Sequence, residues 1–147
     1  MRKVGYIAIG SAFALLAMLA NAQDKPDFSG NWQLDPAKCE LHTAKVADAN
    51  WSIEESANSI HLTENEAGKA VEMKCTTDGK DCDIHGDKAK ASFWFNGPML
   101  VEMETRGDHV TRYRLTLSQD GKTLKVETTY IVPQGDANDV LVFTKKS

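Results

Sequence analysis

MLVEMETRGDHVTRYRLTLSQDGKTLKVETTYIV, residues 99–132, is the stretch whose reading decides the fold. It holds three runs of alternating apolar and polar residues, Met99 to Thr105, His109 to Ser118 and Lys122 to Val132. Arg106-Gly107-Asp108 and Asp120-Gly121 separate them, and both are hairpin turn chemistry. Successive strand residues point to opposite faces. By alternation Val101, Met103, Tyr113, Leu115, Leu117, Leu124, Val126 and Tyr130 share an inner face, while Glu102, Glu104, Arg112, Arg114, Lys125 and Glu127 share an outer one.

The same period continues in both directions. Upstream it gives strands over Phe28 to Leu34, Asn50 to Glu55, Ser59 to Glu64, Ala70 to Thr76, Cys82 to His85 and Lys90 to Phe95; downstream it gives Asp139 to Lys145. Turn signals recur at Ser56-Ala57-Asn58, Asn65 to Gly68 and Asn96-Gly97-Pro98, and helical periodicity is almost absent. Only Ala37 to Ala49 is loose enough for a helical turn or a lid. Trp51, Ile53, Ile60, Leu62, Val71, Met73, Phe93 and Phe95 join the inner face, and His61, Glu72 and Lys74 the outer one. One dry and one wet face is the antiparallel pattern. So many strands with short links predict an all-β, single antiparallel up-and-down barrel of about 8–10 strands, because closure removes both edges.

Ahead of the first strand, Arg2 and Lys3 precede an apolar run of 13 residues, Ile7 to Leu19, and small residues Ala20-Asn21-Ala22. That order is an export signal cut after Ala22, since a spanning helix needs about 20 apolar residues. The expected division is 1–22 signal peptide and 23–147 barrel domain, placed in the periplasm or secreted, with no membrane span after cleavage. Of the 17 basic residues the remaining chain keeps 15 against 21 acidic ones, a net charge of −6. Such a surface repels phosphate backbones, so nucleic acid is not an expected partner.

Three cysteines, Cys39, Cys75 and Cys82, follow the cut. Cys75 and Cys82 bracket a turn-rich stretch and both fall on the inner phase, which makes them the first choice for a bridge and leaves Cys39 as the odd thiol. Asp81, Asp83, Gly86 and Asp87 follow calcium-loop spacing in part, but Ser92 stands where a bidentate Glu is needed and His85 at the fifth position. Cys82 and His85 lack a second pair for zinc. No metal and no cofactor is expected. Nucleophile elbows, phosphate loops and Cys-x-x-Cys pairs are lacking from the mature sequence, so no catalytic residue is nominated and the chain is not expected to be an enzyme.

Asp27-Phe28-Ser29-Gly30-Asn31-Trp32-Gln33-Leu34-Asp35-Pro36, the hairpin Leu117 to Val126 and the closing Val140-Leu141-Val142-Phe143 resemble secreted bacterial lipocalin-like proteins of the calycin type, with Gly30-x-Trp32 as the signature. The resemblance implies structural roles for Gly30 and Trp32 at the closed end of the barrel, with Arg112 or Arg114 over the indole. A middle Thr-Asp-Tyr motif and a long C-terminal helix are not found. The expected function is a binding protein holding a small hydrophobic molecule in the barrel mouth, opposite Trp32, with Met73, Phe93, Phe95, Met103, Tyr113 and Tyr130 as the lining. The alternative is a filled barrel that binds another exported protein, such as a hydrolase inhibitor. A monomer is expected in either case.

Overall fold

The computed structural model describes residues 25–42, 46 and 48–147. The export signal expected at 1–22 and the middle of the loose stretch lie outside the described residues. Ten strands run in chain order: β1 (Gly30–Leu34), β2 (Ala49–Glu55), β3 (Ser59–Glu66), β4 (Lys69–Thr76), β5 (Cys82–His85), β6 (Lys90–Asn96), β7 (Met99–Arg106), β8 (His109–Leu117), β9 (Thr123–Val132) and β10 (Asp139–Lys145). Each pairs antiparallel with its neighbour, and β1 joins β10, closing the barrel. The all-β meander read from the alternation is the observed fold. A single 3-10 turn, Pro36–Lys38, is the only helical piece among the described residues, and Glu40 then pairs with Val140 beside β10.

The barrel has a plugged end and an open end. At the plugged end the N-terminal arm folds under the strands. Phe28 is fully buried with its ring 6.2 Å from that of Phe95, and the Lys25 ammonium sits 4.2 Å from the Phe95 centroid on its way to Glu55 Oε1 at 2.8 Å. The Phe28 N–H donates to Glu55 Oε2 and the Trp32 indole N–H to the Phe28 carbonyl. Trp32 itself is fully buried. The cation over its ring is Lys145, 5.3 Å from the centroid, and not Arg112 or Arg114 as the resemblance implied. Both arginines lie on the outer face of β8, where Arg114 pairs with Glu127 of β9. Gly30 has φ +147, and a Cβ there would come within 2.5 Å of Lys145 Cε. Glycine lets the lysine stem pass to the indole.

Cys75 and Cys82 form a disulfide with Cα atoms 5.5 Å apart. Cys39 is free; its thiol donates to the Asp35 carbonyl and accepts from the Val142 N–H, each at 3.3 Å.

The alternation is corrected in β7. Asn96 faces Met99 across the two-residue turn Gly97-Pro98, so Phe95 pairs with Leu100 and Phe93 with Glu102. Leu100, Glu102 and Glu104 therefore point inward, while Val101 and Met103 face out beside Arg114 and Arg112. A one-residue change of register swaps every side chain between faces, and here the turn outweighed the hydrophobicity of Val101 and Met103. Val101 is still only 4% exposed, flanked on the outer wall by Trp94 and Arg114.

Candidate functional site

With this register, inward residues stack in rungs from β6 to β10. Phe95, Leu100, Leu115, Val126 and Leu141 form an apolar rung towards the plugged end. The next rung, Phe93, Glu102, Tyr113, Thr128 and Asp139, is mostly polar, and Glu104, Thr111 and Tyr130 lie above it. On the facing wall Ile53, Leu62, Met73 and Ile84 make an apolar rung, topped by Trp51, Glu64 and Val71 and then by Ala49, Glu66 and Lys69. The lower barrel is packed with side chains. The upper barrel is acidic.

A cavity of about 340 Å³ opens there, with Trp51, Val71, Met73, Ile84 and Leu141 as its apolar walls and Glu64, Glu66, Glu104, Arg106 and Tyr113 as its polar ones. That volume is at the lower end of small-molecule sites. Turn chemistry shapes its rim. Ala67 and Gly68 both have positive φ, the two-residue hairpin geometry that extends β3 to Glu66 and brings that carboxyl to the mouth. Gly86 has φ +96, and a Cβ would meet the Ala70 carbonyl at 2.8 Å, so glycine lets the β5–β6 turn close over β4 and deliver Asp87. A wider hollow of about 560 Å³ between Glu54, Ser56, His61 and Lys74 lies on the outside of the β2–β3 hairpin and is walled on one side only by the sheet.

The charges divide by depth. At the rim the Arg106 guanidinium binds Asp87 at 2.8 Å and Glu104 at 2.5 Å, and Lys69 reaches Asp87 at 3.6 Å. The Lys88 backbone N–H, with Arg106 and Lys69, holds Asp87 below the usual carboxylate range. Deeper down the direction reverses. Burial, and then the neighbouring Glu66 and Glu104 against the weaker pull of Arg106, pushes Glu64 up to about 8. Burial raises Glu102 well above its ordinary value, with Glu64 and Glu104 adding to the effect. Burial likewise raises Glu104 and Glu66, and raises the Tyr113 phenol further from ionisation.

Glu102 is 1% exposed, and neither carboxyl oxygen has a hydrogen-bond partner among the described residues. Buried carboxyls are normally satisfied, as Glu55 is at the plugged end. Trp51 is 3% exposed, lines the cavity and stacks 4.6 Å from Phe143. Its indole N–H is buried without a well-aligned acceptor, although the Glu66 carboxyl is close enough to be drawn down by it. On the far side Tyr130 donates to Asp139 Oδ2 at 2.8 Å, and the His42 N–H reaches Asp139 Oδ1.

Of the residues expected to line a ligand site, Met73 and Tyr113 do line the cavity, and Tyr130 faces inward at the same level as Glu104. Phe93 lies in the packed core, Phe95 plugs the other end and Met103 is on the outer wall. The wall is also far more acidic than an apolar pocket with one or two anchors. Glu64, Glu66 and Glu104 stand on it, with the buried Glu102 one rung below Glu104, and the alternation places Glu102 and Glu104 outside. Among the described residues no group of three or more His, Cys, Asp or Glu is arranged to hold a metal ion.

No family model matches the chain, and no curated protein matches it. Among solved structures it is similar to one described as the REP1-NXSQ fatty acid transporter, with a TM-score of 0.65, 12% identity, and coverage of 82% of this chain and 96% of that one. At that identity the likeness is one of fold, and the closed ten-strand barrel fits the lipocalin-like resemblance at that level.

Proposed function

We propose that this protein is an exported binding barrel that holds one small molecule with an apolar body in the cavity at its open end. The observation that carries the reading is the division of the interior into a packed lower half and a hollow mouth of about 340 Å³ walled by Trp51, Val71, Met73, Ile84 and Leu141. A barrel built only for stability fills itself with side chains. The similar solved structure is a fatty acid transporter by its description, which agrees with a carrier role on this fold. The Cys75–Cys82 disulfide is consistent with an extracytoplasmic setting. No helix among the described residues is long and apolar enough to cross a membrane.

The test uses N-phenyl-1-naphthylamine, an apolar probe whose fluorescence rises on burial. The wild type should bind one equivalent. Val71→Trp, which fills the half-buried mouth without emptying the core, should bind none while keeping its urea midpoint. Equal binding by Val71→Trp, or none by the wild type, contradicts the reading.

A further inference from the structure

We propose that the ligand is a protonated amine on an apolar body, with its ammonium seated between Glu64 and Glu104, above the buried Glu102. This rests on the binding reading above and names the chemistry of the ligand's polar end. Facing walls supply the carboxyls: β3 brings Glu64 and Glu66, and β7 brings Glu102 and Glu104. Among the described residues two cations stand on the same side, and both belong to the rim. Arg106 is 54% exposed and engaged by Asp87 and Glu104; Lys69 is also exposed and directed to Asp87. Below them, among the described residues, Glu64 feels Arg106 only weakly and forms no ion pair, and the Glu102 oxygens have no hydrogen bond. From β8 Thr111 and Tyr113 face this level, the Tyr113 hydroxyl at a long 3.5 Å from Glu104, and from β9 and β10 come Thr128 and the bonded pair Tyr130 and Asp139.

Carboxyls on the wall of a cavity, with an orphaned carboxyl on the strand rung below Glu104, select their ligand by sign. An ammonium offers three donors to acceptor-only carboxylates, an alcohol offers one, and a carboxylate ligand offers none and adds like charge. The apolar body would lie against Met73, Ile84 and Val71, with the Trp51 ring face as a further cation contact. A fatty acid headgroup would instead add a further acid to this acidic mouth. Because the deep carboxyls hold their protons when the cavity is empty, seating the cation breaks a carboxyl O–H bond and releases that proton to buffer, leaving an ammonium–carboxylate pair. Affinity should then rise with pH by up to tenfold per unit for one released proton.

The experiment is calorimetric titration of the folded protein with octylamine, 1-octanol and sodium octanoate, which share one chain and differ in headgroup charge. Octylamine should bind at least tenfold more tightly than octanol, and octanoate most weakly. In buffers of differing ionisation enthalpy the wild type should release protons on taking up octylamine, with affinity rising from pH 5 to pH 8. Glu64→Gln and Glu102→Gln, which keep the shape of the protonated acid, should each lose at least tenfold in octylamine affinity and stay within twofold for octanol. Octanoate or octanol binding as tightly as the amine, or amine binding without proton release in the wild type, overturns the proposal. Octanol binding without octylamine binding overturns the cationic headgroup and leaves the binding barrel standing. Failure of all three ligands overturns both.

Discussion

Replacing Glu102 by Gln should change the pH dependence of stability far more than stability itself. The carboxyl is 1% exposed, without a partner among the described residues, and raised well above its ordinary value by burial, with Glu64 and Glu104 adding to the effect. In the unfolded chain it ionises near the ordinary value of 4.5. Between these two pKa values the folded state keeps a proton that the unfolded state has lost, so stability is full below 4.5 and is lost as pH rises towards the folded value. Each such proton removes about 1.4 kcal/mol for every pH unit over which the folded state holds it and the unfolded state does not. Glu64, raised to about 8, adds a second slope of the same sign. Gln cannot ionise and preserves the shape of the neutral acid. Glu102→Gln should thus match the wild type at pH 5 within about 1 kcal/mol, which is the net worth of one hydrogen bond. From pH 5 to pH 7 its advantage over the wild type should grow along that slope. With a urea m-value of about 1–3 kcal/mol/M, each pH unit of that slope is a midpoint difference of about 0.5–1.4 M. Urea unfolding at pH 5, 6 and 7, without reductant and without ligand, measures it. Parallel midpoint profiles for the two proteins would refute the reasoning, because they would place Glu102 in water or beside a partner.

Other expectations concern the plugged end and the cysteines. Trp32→Ala empties a fully buried indole and should destabilise by about 3–5 kcal/mol in urea; an unchanged midpoint would show that the Gly-x-Trp corner is not packed. Gly30→Ala should lose about 1–3 kcal/mol through its backbone, which holds φ +147, rather than through the Lys145 stem, so adding Lys145→Ala should fail to restore the midpoint. Thiol labelling of the unreduced protein should reach Cys39 alone, and slowly, given its two hydrogen bonds; modification at Cys75 or Cys82 would contradict the bridge. Opening the bridge should lower stability by roughly 2–3 kcal/mol, the range for so short a loop.

The fold was legible because its information is local. Asp-Gly and Asn-Gly turns separate alternating runs, and for most strands the period alone assigns the faces, as with Ile60 and Leu62 against His61. The bridge was legible for the same reason, since Cys75 and Cys82 flank one turn. The site was not, because β7 carries apolar residues on both phases. Leu100 alternates with Glu102 and Glu104, and Met99 with Val101 and Met103, so hydrophobicity favours the wrong face. The signal that decides it lies in the turns. With two-residue links at Gly97-Pro98 and Gly107-Asp108, inward Phe93 and inward Tyr113 both require Glu102 inward. Reading those turns as three residues long hid the acidic rung. Glu64 and Glu66 were lost in part through a strand end, because the turn was placed at Asn65 to Gly68 where the hairpin closes on Ala67-Gly68 alone. The cation over Trp32 was misassigned because Lys145 reaches it from β10, across the barrel closure, which no local pattern encodes.

The most direct test of a ligand-binding mouth is to map backbone amide chemical-shift changes while octylamine is titrated into the isotope-labelled protein, with octanol as the control for the apolar body. The account predicts changes concentrated at Glu64 to Met73, Ile84 to Asp87, Glu102 to Arg106, Tyr113 and Leu141, with Lys25 to Phe28 and Phe95 unmoved. Changes centred on the Phe28–Phe95 end, or spread evenly over the outer wall, would contradict it.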